Sequence, residues 1–481
     1  MLPDEIQKGI EQLPEDIQIL FQAAISFYEQ KVVKLEARIK ELEDQISKNS
    51  NKPPSSDGSK RPSPKSLREK PGRMPGGQKG HKGGTLKMAE HPDLIEVHKV
   101  GRCECCKKSL LHQKPEDVLC RQVYDIPPLK IAVTEHRAEI KTCRCGHPNI
   151  AAFPTGVDRY VQYGPNIKGL IVYLQDYQLL PCERTTELIS DLFGHGLSKG
   201  TLQNTRDTAF ERLGPFDADL KELLPHSPLA GFDETGFRIA AKRFWLHSCS
   251  TGQHAYYAVH EKRGAQAMGA IGVLPNFRGV GVHDFWKSYF TYDMVHSLCN
   301  AHSLRDLIFI KERFSQAWPE DMTKLLIKMK EAKEKAVSRG KTAFSKTTLS
   351  NYRKRYGAIV KKGLQLNPHG PPAEKKRGKA AKSPPLNLLE RLRDHAEGYL
   401  RFLHDFKVPF DNNFSERDIR MMKVKQKISG CFRSMNGAEI FARIRSYIVT
   451  ARKQCVNVFD ALTNLFMGNS IAFNLTSSQP C

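Results

Sequence analysis

With 481 residues the chain holds material for about three domains of ~150 residues each, so a large buried core is available and a disulfide-held mini-protein is excluded. Seventy-five Lys and Arg against 52 Asp and Glu leave a formal charge of +23, a surplus that suits a nucleic-acid partner better than an acidic small-molecule site. No apolar run reaches the ~18 residues of a membrane span, and Met1-Leu2-Pro3-Asp4-Glu5 is acidic where a signal peptide is basic and then apolar, so the expectation is a cytoplasmic protein without a membrane partner.

In chain order, residues 1–50 read as a coiled-coil helix. Phe21, Ile25, Tyr28, Val32, Leu35, Ile39, Leu42 and Ile46 step alternately by four and three, with Glu and Lys on the flanks. So narrow a stripe implies self-association or a partner helix; the alternative is a single helix packed on its own domain. Residues 51–90 change to Lys, Arg, Pro and Gly, ending in Gly76-Gly77-Gln78-Lys79-Gly80-His81, a composition that forms no core. They read as a flexible basic arm able to lie along phosphates, or as a plain solvated linker.

Twelve cysteines are too dilute for a disulfide scaffold, so clusters among them point to metal. In residues 91–155, Cys103 and Cys106 form one knuckle, Cys143 and Cys145 another. The alternating stretch between them, residues 122–136, reads as strands that would bring both pairs to one structural Zn²⁺. Cys105 is an alternative to Cys103 or Cys106, and His147 an alternative to Cys145. Unliganded, reduced cysteines are the other reading.

Residues 160–215 become helical. Ile167, Leu170, Ile171 and Leu174 share a face, a second helix runs from Arg184 to Leu192, and Gly194 to Ser198 form a turn with a capping serine. The helix opening at Lys199 carries Thr201, Gln203, Asn204 and Arg206, so the segment follows the helix-turn-helix plan, with Lys199, Gln203, Asn204 and Arg206 as candidate DNA-contacting residues. Helical bundles give the same pattern without DNA.

Residues 225–298 read as a mixed α/β unit: a hairpin over Lys242-Arg243, a third strand at Ala255–Val259, a helix from Ala265 to Val273 and a fourth strand from Gly279 to Asp284. Asp233 falls on the first strand and Asp284 at the end of the fourth. Beyond Tyr292 the chain reads as largely helical, through residues 299–405, broken by a basic Pro-rich loop from Asn367. In residues 406–470 an Asn412 or Asn413 cap places Glu416 near a helix start, with Arg417, Arg420, Lys423 and Lys427 along its faces. Residues 471–481 are a tail.

Taken in order, Phe232-Asp-Glu-Thr-Gly236, Asp284-Phe-Trp-Lys-Ser-Tyr289, Cys299-Asn-Ala-His302 and Asp411-Asn-Asn-Phe-Ser-Glu-Arg417 resemble the DDE transposases of bacterial insertion sequences, in the IS-sixty-six group. The resemblance extends to the front of the chain. It implies an α/β multidomain protein whose RNase H-like core is interrupted by a helical insertion and preceded by coiled coil, zinc module and helix-turn-helix. Asp233, Asp284 and Glu416 are then the catalytic acids holding two Mg²⁺, for which Mn²⁺ is able to substitute; carboxylates suit such hard ions. It implies DNA cleavage and strand transfer at the element's ends and into target DNA, a homo-oligomer through the coiled coil, accessory proteins from the same element as further partners, and a nucleoid-associated bacterial location.

A catalytically inactive DNA-binding regulator and a stand-alone nuclease or resolvase are the competing functions. Among the neighbours, Glu234 and His283 point to the opposite face from the acids, and Trp286 and Tyr289 read first as packing. Cys299 and His302, one turn apart, supply two donors where a metal needs more, and read as a packed pair. Arg417 and Arg420 are candidate phosphate clamps or simply solubilising charges.

Overall fold

The computed structural model describes residues 9–10, 13–47, 84, 86–369 and 382–469, with side chains beyond residue 39 of the first helix left aside. The basic arm before Gly84, most of the loop after His369 and the tail lie outside the described residues. The chain divides into two compact units, Met1–Pro127 and Pro128–Cys481.

In the first unit, α1 (Glu15–Ser47) is a single 33-residue helix. Phe21, Tyr28, Val32, Leu35 and Ile39 of its narrow stripe are all exposed, as an unpartnered coiled-coil seam would be. Later in the unit, Gln122 exchanges amide hydrogen bonds with the backbone of Ala89 at 2.6 and 2.9 Å, and the Tyr124 hydroxyl donates to the Lys87 carbonyl. The first cysteine knuckle is a tight turn closed by an Arg102–Ser109 bridge, with the Cys103 N–H donating to the Lys108 carbonyl and Lys107 at φ 60°.

The expected strands of residues 122–136 do not form. Val123 and Val133 are more than nine-tenths exposed, so the alternation has no sheet to face, and Pro127-Pro128 removes two adjacent ladder donors. The hairpin instead lies in the second unit, where β1 (Ile140–Thr142) pairs antiparallel with β2 (Pro148–Ile150) around the second knuckle. Gly146 there takes φ 85°, which a residue with Cβ rarely adopts.

Three helices follow. α2 (Pro165–Val172) runs on as a π-helical segment, Tyr173–Tyr177; α3 (Cys182–Phe193) ends on Gly194 at φ 63°; α4 (Lys199–Arg212) is capped by Ser198, whose Oγ accepts from the Thr201 N–H. Ile171, Leu174, Ile189, Leu197 and Leu202 lock the three together. α5 (Gly214–Leu223) leads to the sheet.

The sheet has five strands in the order β5-β4-β3-β6-β7: β3 (Leu229–Ile239), β4 (Lys242–Ser250), β5 (Ala255–His260), β6 (Val280–His283) and β7 (Val295–Leu298). The first three form an antiparallel meander, and β6 and β7 run parallel to β3. The hairpin turns over Ala240-Ala241, both at positive φ, two residues before the expected Lys242-Arg243, because Lys242 is already paired with Ile239. β7 falls where sequence reading expected helix. Helices α6 (Ala265–Ile271) and α7 (Val273–Asn276) cross between β5 and β6.

Alternation along β3 feeds two cores. Ala230 and Phe232 pack with Met268, Val273 and Phe277, while Phe237 and Ile239 pack with Ile419, Met422 and Phe441 on the other face. After β7 come α8 (Asn300–Phe314), α9 (Trp318–Val337), α10 (Lys346–Leu366), α11 (Pro384–Asp394) and α12 (Ala396–His404). These helices enclose a core of their own around Trp318, Leu326, Tyr356, Leu389 and Tyr399. The chain then returns to the sheet as α13 (Asn413–Ser429), α14 (Met435–Lys453) and α15 (Val458–Met467).

Candidate active site

Strand register places the first two acids. β3 and β6 pair Leu229 with Val280, Ala230 with Gly281 and Gly231 with Val282; carried two residues further, Asp233 falls level with Asp284 on the same face of adjacent strands. That face is the one covered by α13, because Asp233 shares its parity with Phe237 and Ile239. His283 and Glu234 sit on the opposite parity, as expected. His283 is fully buried and stacks on Tyr289, and Glu234 receives the Tyr289 hydroxyl and two guanidinium N–H bonds from Arg263 at 2.9 and 2.6 Å.

Glu416 arrives from the first turn of α13. The Asn412 side-chain amide donates to the carbonyl of Phe232, the residue before Asp233, at 2.8 Å. The Asn412 N–H also donates to Cys299 Sγ at 3.2 Å, tying the helix start to the end of β7. Gly231 makes the approach possible: a Cβ there would collide with Ser415, Asn412 and Phe414. Further along α13, Lys423 donates to the Gly236 carbonyl and Asp418 receives the Ser250 hydroxyl and the Lys453 ammonium.

Each aspartate has one oxygen held by a backbone N–H. Asp233 Oδ1 accepts from the Glu234 N–H at 2.9 Å and Asp284 Oδ1 from the Trp286 N–H at 2.9 Å. Glu416 Oε2 faces the Arg305 guanidinium at 3.5 Å, while Oε1 faces Cys299 Sγ at 4.0 Å and His302 Nδ1 at 3.6 Å. Burial pushes the Asp233 carboxyl well above the usual range, and the charges of Glu234, Glu416 and Asp284 push it the same way. Asp233, Asp284 and Glu416 offer carboxylate oxygens, the donor type that hard divalent cations such as Mg²⁺ take. Burial likewise pushes the Cys299 thiol up to about 11, with the Glu416 charge contributing.

Sequence reading found two donors in Cys299 and His302; the structure adds Glu416, so that thiol, imidazole and carboxylate lie within 4.8 Å of one another. Asp284, Cys299 and His302 also line a common cavity of about 260 Å³ with Arg263 and Trp286. Sequence reading did not single out Arg263 or Arg305. Arg263 stacks 4.1 Å from the Trp286 ring centroid while bound to Glu234, and Arg305 lies one helical turn after His302.

At the cysteine knuckles, backbone N–H groups of Cys106 and Cys105 lower the Cys103 thiol, and that of Cys145 lowers Cys143. Both turns thus favour thiolates, the form that ligates zinc. Of the residues expected to contact DNA, Lys199, Gln203 and Asn204 are exposed on α4, Lys199 paired with Glu183 and Gln203 bonded to Asp207. Arg206 is turned inward: its guanidinium makes two 2.8 Å bonds to Asp176, which is wholly buried in the π-helical segment. It therefore holds the helices together rather than facing a groove. Arg417 and Arg420 are exposed immediately after Glu416.

Among the described residues no helix is long and apolar enough to cross a membrane. Residues 160–440 match the family described as Transposase IS66 family, and residues 1–87 match one described as Family of unknown function (DUF6444). No curated protein matches the chain.

Proposed function

The chain belongs to the Transposase IS66 family, and from that premise we propose that it cuts DNA at the ends of its own element and joins them to new DNA, with Asp233, Asp284 and Glu416 as the catalytic acids. The observation that carries this reading is the strand register that puts Asp233 level with Asp284 on the face where α13 delivers Glu416. The sheet order, an antiparallel meander followed by two parallel strands, supports an RNase H-like core interrupted by α8–α12.

Two Mg²⁺ ions held by these acids would supply Lewis-acid activation of a water or 3′-hydroxyl and stabilise the leaving oxygen. The protein's own residues orient the acids. The Glu234 and Trp286 N–H groups take Oδ1 of each aspartate, leaving Oδ2 for a ligand, and Arg305 takes one oxygen of Glu416. Arg417 and Arg420, exposed on α13 after Glu416, would hold DNA phosphates beside the acids. Upstream, Lys199, Gln203 and Asn204 on α4 would face the element's ends, and each knuckle, Cys103 with Cys106 and Cys143 with Cys145, would offer a thiolate pair of the kind structural zinc takes. The exposed seam of α1 would pair subunits so that both ends react together.

The test is Mg²⁺-dependent cleavage and joining of a DNA fragment carrying the inverted repeats that flank the gene, comparing the intact protein with Glu416→Gln. Joining that requires Mg²⁺ and disappears in the variant, with DNA binding retained, is the expected result. Specific binding without strand breakage by either protein would overturn it in favour of a DNA-binding regulator, and cleavage without joining in favour of a nuclease.

A further inference from the structure

Glu416 is near enough to Asp233 for its charge to raise that carboxyl. Its own oxygens meet Arg305 and, toward the end of β7, Cys299, the N-cap of α8, and His302, which the helical spacing of three places over the same end of the helix. His302 Nδ1 is shielded from solvent and has no hydrogen-bond partner among the described residues, a state that buried ring nitrogens seldom keep. Its 3.6 Å separation from Glu416 Oε1 is too long for a hydrogen bond. It does match the ~3.3–3.7 Å edge of a tetrahedron built on zinc–ligand bonds of ~2.0–2.3 Å. Cys299 Sγ, at 4.0 Å from the same oxygen, needs to close by only a few tenths of an ångström. Because Arg305 occupies Oε2, Oε1 is left pointing at the pair.

We propose that Cys299, His302 and Glu416 form a binding site for a borderline-soft divalent cation such as Zn²⁺, and that its occupancy inhibits the enzyme by withdrawing Glu416 from Asp233 and Asp284. A thiolate, an imidazole and a carboxylate select Zn²⁺ or Co²⁺ over Mg²⁺, which takes oxygen ligands. Three protein ligands leave a fourth position, which the adjoining cavity opens to water. Binding displaces the Cys299 thiol proton to solvent, and the Asn412 N–H already donates to that sulfur, as outer-sphere donors to ligating thiolates do. The inhibitory consequence rests on Glu416 being the third catalytic acid; the binding itself does not.

The experiment uses Co²⁺ as a spectroscopic probe of the full chain, counting tightly bound equivalents from the sulfur-to-cobalt charge-transfer band. Cys299→Ser and, since Cys299 is buried, the half-exposed His302→Gln are each compared with the unaltered protein. The expected result is one equivalent fewer in both variants, with the signal of the knuckle cysteines retained. Equal stoichiometry and spectra in all three proteins would overturn the site. In parallel, Zn²⁺ is titrated against Mg²⁺-dependent DNA cleavage, each protein being referred to its own zinc-free rate. His302→Gln is expected to need about tenfold more Zn²⁺ or beyond, the least that loss of even an outer-sphere partner costs. Equal zinc sensitivity of His302→Gln and the unaltered protein would overturn the inhibitory role. A lost cobalt equivalent in a protein that never cleaves DNA would support the site while defeating the transposase mechanism, so the two failures are separable.

Discussion

Residues 86–160 and residues 165–469 solve the problem of order in opposite ways. In the first stretch no described residue is buried, and apolar side chains such as Leu119 and Val133 stand almost wholly in solvent. In the second, Leu202, Phe277, Trp318 and Ile444 are fully enclosed, and acids, cations and imidazoles are buried with them. A segment without a core cannot offset the entropy of fixing its backbone, and its paired thiols, lowered by neighbouring backbone N–H groups, are where the proposed zinc would supply that order. A segment with a deep core can hold like charges together, which is what a polymetal site requires. Under the proposed function, the contrast separates the part that would hold DNA from the part that would cut it.

The largest effect that would sharpen this contrast is loss of chemistry without loss of grip. Asp233→Asn, Asp284→Asn and Glu416→Gln are each expected to lower cleavage and joining about a thousandfold or more, with gel-shift affinity for the element's ends unchanged. Next, Gly231→Ala should force α13 off β3 and carry Glu416 with it, reducing the rate about a hundredfold, since a displacement of ~1 Å at a reacting group suffices for that. Denaturation should report a loss of about 1–3 kcal/mol from the overpacked contact. Conversely, chelation of zinc, or Cys103→Ser with Cys143→Ser, should weaken DNA binding about tenfold and speed amide exchange across residues 86–160. Exchange in β3–β7 should stay as it was; matched acceleration in the sheet would break the comparison.

A smaller effect tests the crowded acids directly. The folded carboxyl of Asp233 holds its proton more tightly than the unfolded one, so this group stabilises the metal-free protein below the ordinary aspartate range, and that stability is lost as pH rises toward the raised value. Asp233→Asn is therefore expected to raise the thermal midpoint of the metal-free protein at neutral pH, the advantage disappearing in acid. Added Mg²⁺ should raise the midpoint of the unaltered protein but not of the variant. Smallest, Ser198→Ala should cost about 1 kcal/mol by removing the cap of α4, read as an earlier melting of α2–α4.

Much of the site was legible because local rules dictated it. The Ser198 cap, the alternation on either side of Ala240-Ala241 and the short stretches around Asp233, Asp284 and Glu416 could be read directly. Tertiary pairing could not. The level alignment of Asp233 with Asp284 depends on β6 joining β3 in parallel, a choice made by the crossover through α6 and α7. β7 escaped notice because four residues, Val295–Leu298, are too few to show a period. The opposite error at residues 122–136 has the same root: alternation marks a strand only where a partner exists. Arg206 looked like a groove-facing side chain until Asp176 emerged, 30 residues earlier, as its buried counter-ion. The third donor beside Cys299 and His302 lies 117 residues from the cysteine, beyond the reach of any spacing rule.

The route by which α13 reaches the sheet also sets a timetable. Asn412 clasps the carbonyl of a residue 180 positions earlier, after five helices with a core of their own have been made. Chains fold from the N-terminus as they emerge from the ribosome, and contacts of such separation close last. A nascent or truncated chain ending ahead of Asn412 would carry the cysteine knuckles, α2–α4, Asp233 and Asp284, yet lack Glu416, the third of the proposed catalytic acids. If the proposed function holds, such fragments would occupy the element's ends without breaking them, and interrupted synthesis would yield a competitor of the finished enzyme rather than an unregulated nuclease.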